Sequence, residues 1–220
     1  MSQELIHVYF MPGMAASPAI FEYIKLPDHQ FKMHYLEWTI PIVGELISNY
    51  AKRMTERIKH DKVVLIGVSF GGILVQEMSK HIDLFKLIII SSVKTKYELP
   101  NRMKLSRITK LYKLVPTRVV GSLEALAKYA FGNSVKKRLH LYKKYLSVRD
   151  KVYLDWAIEQ VVWWNQEKNI PGIIHIHGDK DSVFPIYHIK DCITVQGGTH
   201  IMIINKYKWF NENLPKIILA

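Results

Sequence analysis

The stretch Val63-Val64-Leu65-Ile66-Gly67-Val68-Ser69-Phe70-Gly71-Gly72 decides how this chain reads. Its first half is a short β-branched apolar run, the pattern of a strand covered on both faces. Its second half is Gly-x-Ser-x-Gly. The residues that follow put Ile73, Val75 and Met78 among Gln76, Glu77 and Lys80, which predicts an amphipathic helix. A strand that turns directly into a helix leaves no space for side chains at Gly67 and Gly71. It also forces Ser69 into a strained conformation that projects its hydroxyl. The helix start aims backbone N–H groups and the positive end of its dipole at that hydroxyl. A lone Gly-x-Ser-x-Gly is common. One bounded by a strand and a helix points to a nucleophilic serine rather than to an N-cap serine.

Working outward, six runs read as buried strands: Leu5–Phe10, Phe31–Glu37, Val63–Val68, Lys86–Ser92, Gly172–His177 and Cys192–Gln196. Helical stretches are predicted over Ser17–Ile24, Gly44–Lys59, Phe70–His81, Pro185–Lys190 and about His200–Asn213. Strand alternating with helix implies βαβ units, right-handed crossovers and a three-layer α/β fold with a mostly parallel sheet. The interval from Val93 to Pro171 is far longer than one crossover needs. It carries helical patterns over Arg102–Val115, Gly121–Phe131, Ser134–Val148 and Lys151–Glu167, punctuated by Pro116, Gly121 and Gly132. Residues 94–170 are therefore expected to form a helical cap inserted in a core of residues 1–93 and 171–220.

A serine hydroxyl needs a base, usually histidine. Of the ten histidines, His200 follows the last strand through Gly197-Gly198-Thr199, at the carboxyl edge of the sheet where such folds place their sites. His7 and His175 sit inside strands and read as core residues. The third member orients the imidazole. The segment His177-Gly178-Asp179-Lys180-Asp181-Ser182-Val183-Phe184-Pro185 offers two acids. Asp181 lies deeper in the loop and is preferred, with Asp179 as a turn former.

Gly67-x-Ser69-x-Gly71, His177-Gly178-x-x-Asp181 and Gly198-x-His200, in the order Ser, Asp, His, resemble the α/β-hydrolase superfamily. The resemblance covers all but the middle of the cap. It implies a minimal fold of six strands, the third to eighth of the full eight, in spatial order 2-1-3-4-5-6. It also implies an oxyanion hole. One donor would be the N–H of Phe70, the other the N–H of Met14 in Pro12-Gly13-Met14, where many relatives carry His-Gly. The chemistry implied is hydrolysis of a carboxylic ester or thioester through an acyl-enzyme, with no metal or organic cofactor. A non-catalytic relative that binds a ligand or an anionic membrane through the cap is the alternative.

Charge adds a second theme. The chain has 31 basic and 19 acidic residues, net +12, and residues 94–168 alone carry net +11. Three readings compete: a solvated face, electrostatic capture of an anionic substrate such as an acyl-CoA, and peripheral contact with anionic lipid. No nucleic-acid-binding module accompanies the charge. Trp163 and Trp164, near the end of the cap, are candidates to line an acyl pocket or to pack the cap onto the sheet. Cys192 has no internal partner and reads as a small core residue. With no signal-peptide pattern at the start, the chain is expected in the cytoplasm.

Overall fold

The computed structural model describes residues 5–109 and 144–220. Six strands, β1 (Ile6–Met11), β2 (Phe31–Tyr35), β3 (Val63–Val68), β4 (Lys86–Ile90), β5 (Ile174–Gly178) and β6 (Ile193–Val195), form one sheet. The order is β2-β1-β3-β4-β5-β6 and every neighbouring pair is parallel. The chain therefore starts in the interior, steps to one edge with β2, then reverses and winds to the other edge. That reversal lies between β1 and β3, and ligands in open α/β sheets bind outside the carboxyl ends at such a point.

Helices cover both faces. α1 (Ile47–Thr55) packs on α2 (Phe70–Met78), which packs on β3 and β4. α3 (Asn101–Thr109) packs on α4 (Lys151–Trp163). α5 (Met202–Asn205) packs on a 3₁₀ turn at Pro18–Phe21, and α6 (Tyr207–Leu219) ends the chain. The strands supply an apolar centre in which Val8, Phe10, Val64, Leu65, Ile66, Ile88, Ile89, Ile90 and Ile176 are fully buried. Cys192 is half-buried against this core. Among the described residues no helix is long and apolar enough to cross a membrane.

The helices differ from expectation more than the strands do. Ser17–Ile24 and Pro185–Lys190 shrink to 3₁₀ turns at Pro18–Phe21 and Ile186–His188. Gly44 takes a positive φ of 74°, so α1 starts only after Leu46. The last helix splits at Lys206, whose φ of −116° is not helical. Its second half runs through Pro215 to Leu219 because Phe210, Leu214 and Ile218 recur every four residues and are fully buried. That stripe outweighs the ~3 kcal/mol cost of an interior proline. The expected helix Gly121–Phe131, and the Ser134–Val148 stretch up to residue 143, lie outside the described residues.

Two backbones meet where β5 ends. A Cβ placed on Gly178 would sit 2.2 Å from the Gly198 carbonyl oxygen. The end of β5 and the loop carrying His200 thus touch main chain to main chain. Gly178→Ala should separate them, at a cost of about 2–4 kcal/mol, comparable to severe overpacking. A thermal melt of the variant that overlays the wild-type curve would refute this contact.

Candidate active site

Ser69 sits between β3 and α2 with φ 54° and ψ −120°, a region that non-glycine residues rarely occupy and that costs about 1–3 kcal/mol. Three features hold it there. A Cβ on Gly67 would fall 2.3 Å from the Gly71 carbonyl oxygen, and one on Gly71 would fall 2.4 Å from the Pro12 carbonyl oxygen, so only glycine fits either place. The Ser69 N–H donates to the Ile90 carbonyl at 2.9 Å. The Ser92 hydroxyl donates to the Ser69 carbonyl at 2.7 Å.

The Ser69 hydroxyl lies 2.9 Å from His200 Nε2, and His200 Nδ1 lies 2.9 Å from Asp181 Oδ2 and 3.1 Å from Oδ1. A carboxylate only accepts, so Nδ1 carries the imidazole proton and Nε2 is left to accept from Ser69. Asp181 is buried. Its Oδ1 also accepts from the N–H groups of Val183 and Phe184, at 2.8 and 2.9 Å. Burial pushes this carboxyl upward. The charge and hydrogen bond of His200, then His177 and the Phe184 N–H, outweigh it and hold the group below its usual value. Both ring nitrogens of His200 are therefore taken by Asp181 and Ser69, while Asp179 stays in the turn that leaves β5.

A second string of imidazoles supports Asp181. His177 Nε2 donates to the Phe184 carbonyl at 2.8 Å, which leaves Nδ1 to accept from His175 Nε2 at 3.1 Å. Both rings are buried on one face of β5. Burial, then His177 and Lys94, push His175 well below its ordinary value. Burial also lowers His177, against the pull of Asp181. Both rings are neutral near pH 7.

The loop after β1 lies against Ser69: a Cβ on Gly13 would be 3.3 Å from the Ser69 Cβ. Four groups brace this loop. Trp38 Nε1 donates to the Gly13 carbonyl at 2.8 Å. Because this peptide is trans, the Met14 N–H points away from Trp38. The Ala15 N–H donates to the Tyr153 hydroxyl at 3.3 Å. The Ser17 N–H donates to the Tyr145 carbonyl, and the Val148 N–H donates to the Ala15 carbonyl. Phe70, whose N–H occupies the first turn of α2 where no intrahelical acceptor exists, stacks its ring on Trp38 at 4.9 Å.

Trp164 is buried, and its indole N–H donates to Glu77 on α2 at 2.8 Å, so it fastens α4 to the core. Trp163 is half-exposed under the Arg107 guanidinium. Both line a cleft of about 1130 Å³ between residues 41–48 and α4, whose walls include none of Ser69, Asp181 and His200. Trp38 and Ser92 were absent from the sequence-based site, and His177 entered it only as part of a motif, with no role of its own. Trp38 and Ser92 stand just past the carboxyl ends of β2 and β4, on the edge that carries the site, and that position was a usable signal. Tyr153 reaches the loop only through tertiary packing.

No family model matches the chain, and no curated protein matches it. Solved structures do. A bromoperoxidase from Bacillus anthracis superposes with TM-score 0.68 at 18% identity, covering 99% of this chain and 93% of its own. An esterase from Exiguobacterium antarcticum gives 0.68 at 17%, covering 100% and 94%. A hydrolase from Pseudomonas aeruginosa PA01 gives 0.71 at 11%, covering 98% and 91%. At these identities the likeness establishes the fold.

Two outcomes are expected of this geometry. Trp38→Phe keeps an aromatic ring against Phe70 but frees the Gly13 carbonyl. On a serine-hydrolase reading of the Ser69 line, it should lower kcat toward a p-nitrophenyl ester about tenfold with little change in KM. Steady-state kinetics with an unchanged kcat would remove Trp38 from the scaffold. Stability should also fall with acid. Unfolded histidine takes a proton near pH 6.5, whereas the depressed His175 and His177 resist it, so below that pH the unfolded state binds more protons. The melting temperature should drop from about pH 7 to about pH 5. His175→Leu should show a shallower drop over that range, and an unchanged slope would assign the effect elsewhere.

Proposed function

We propose that this chain, which has the α/β-hydrolase fold, is a serine hydrolase that cleaves a carboxylic ester or thioester through an acyl-enzyme. The observation that carries the reading is the hydrogen-bonded line from Ser69 through His200 to Asp181, ending on a strained serine at the carboxyl edge of the sheet. Ser69 Oγ attacks the substrate carbonyl as its proton passes to His200 Nε2. Asp181 stabilises the imidazolium. The N–H groups of Phe70 and Met14 hold the oxyanion, each donor being worth roughly 3 kcal/mol in the transition state. Collapse expels the alcohol or thiol, which takes the proton from His200. Water then attacks the acyl carbonyl, with His200 as base, and frees Ser69. The scheme draws only on side chains and backbone.

In this reading residues 94–170 cap the strand ends. The contacts of Tyr145, Val148 and Tyr153 with the loop after β1 support it, because they bring the return leg of that segment against the site. The net charge of +11 over residues 94–168 favours an anionic substrate, a CoA thioester for instance, as a second reading. Lys136, Lys137 and Arg138, the sequence's densest basic cluster, lie outside the described residues. A non-catalytic binding role has the intact line of three residues against it.

A panel of neutral esters and CoA thioesters, at low and high salt, tests the reading. Ser69→Ala should lose about 10³-fold or more in rate on every accepted substrate while its melting curve is retained. Asp181→Asn should also lose orders of magnitude. Labelling of the wild type by a fluorophosphonate should vanish in Ser69→Ala. Wild-type rates in that variant would falsify the assignment, and a salt effect confined to thioesters would select the anionic substrate.

A further inference from the structure

A second constellation of histidines sits at the other end of β1. His7 and Tyr9 are two residues apart and share one face of the strand. Tyr9 is in register with His34 on β2, the edge strand of the sheet. The segment before β3 returns alongside, with the His7 N–H on the Lys62 carbonyl, and brings His60 onto the same face. The His7 and His60 rings stack at 3.6 Å and 9°, and the His34 ring lies 4.8 Å from His60 and 5.2 Å from His7. His7 Nδ1 is 2.9 Å from His34 Nε2. The Tyr9 hydroxyl is 2.7 Å from His60 Nδ1 and accepts from the Lys59 N–H at 3.3 Å. One ring nitrogen of each histidine lies within 4.8 Å of the other two, and among the described residues no other three His, Cys, Asp or Glu ligand atoms converge so closely.

We infer that His7, His34 and His60 bind a divalent transition-metal ion of the zinc class. The donor set is three imidazoles, which suits Zn²⁺, Cu²⁺ and Ni²⁺ and disfavours the oxygen-seeking Mg²⁺ and Ca²⁺. The three ligands come from β1, β2 and the α1–β3 connection, so their meeting is a product of the fold and not of local sequence. Tyr9 steadies the His60 ring from outside the cluster, as partners of metal-bound histidines do.

The fit requires small movements. Zn–N bonds of about 2.05 Å at a tetrahedral angle place ligand nitrogens roughly 3.3 Å apart. The His7–His34 pair must therefore open by about 0.4 Å, and the proton it shares must move to the far nitrogen of the ring that holds it. His60, flat against His7, must tilt until its plane contains the ion. It lies in the connection between α1 and β3, outside both elements. Solvent supplies the remaining ligand. Six residue steps separate His7 from Gly13, four of them along β1, roughly 20 Å at about 3.3 Å per step, so the ion takes no part in chemistry at Ser69. Its effect is to tie the edge strand β2 to β1 and to the start of β3.

Zn²⁺ titration calorimetry, Co²⁺ absorption spectra and melting curves on the full chain, with His34→Gln and His60→Gln, test this. In the wild type, one ion should bind, Co²⁺ should show the visible bands of a low-coordinate nitrogen site, and Zn²⁺ should raise the melting temperature. Each variant should lose at least about tenfold in affinity and the Zn²⁺-dependent rise, with ester hydrolysis unchanged. His60→Gln, in a connection, covers the case in which His34→Gln fails to fold. Absence of binding by the wild type overturns the inference, and so does equal affinity in both variants, which would place the ion on other histidines such as His200.

Discussion

Everything at the site depends on one steric constraint, the closeness of three backbones around Gly67 and Gly71. β1 and β3 are hydrogen-bonded neighbours with Met11 opposite Gly67. That register brings the Pro12 carbonyl to where a side chain on residue 71 would be. The first turn of α2 is thereby pressed against both β3 and the loop after β1, and Ser69 has no relaxed conformation open to it. The strain of about 1–3 kcal/mol is spread over contacts that the core makes anyway. The same squeeze places Gly13 beside Ser69. Ser69 and the loop after β1 are thus positioned by one packing event, and the sheet order 2-1-3 is what makes it happen.

How much of this was legible follows from how local each cause is. Strand β3 was read to the residue, and the others to within two, because short β-branched runs such as Leu87–Ile90 suit strands covered on both faces. The spatial order followed from the family resemblance. Helix ends were less legible. Ser17–Ile24 carries apolar residues but too few turns to propagate, and a 3₁₀ turn resulted. The continuation of α6 through Pro215 depended on burial that local rules do not see.

Legibility at the site divides in the same way. Ser69 and His200 were carried by glycines whose steric role can be argued from spacing. Between Asp179 and Asp181 spacing gave only a preference. The geometry separates them through the Val183 and Phe184 N–H groups, which converge on Asp181 and hold it toward His200. The pairing of His175 with His177 was implicit in their spacing of two, which puts both on one face of a strand. Its meaning was not, since it depends on the Phe184 carbonyl closing the string. The bracing of the loop after β1 by Trp38, Tyr145, Val148 and Tyr153 joins residues up to 138 positions apart, and no window of sequence contains it.

That bracing changes what the basic insertion is for. A cap joined to the core only at its ends is free to vary without touching the chemistry. Here residues 145–153 share backbone and hydroxyl hydrogen bonds with the loop that carries Met14, so the return leg of the insertion packs directly on that loop. Trp164 adds a further tie by anchoring the end of α4 to Glu77 on α2, the helix that follows Ser69. The return leg of the insertion thus contacts both sides of Ser69: the loop after β1 through residues 145–153 and α2 through Trp164. The histidine cluster stands at the opposite end of β1, where the edge strand is held by the register of five residue pairs with one neighbour. β1 therefore carries both constellations: the Ser69 line where its carboxyl end meets residues 145–153, and the histidine cluster where its amino end meets the edge.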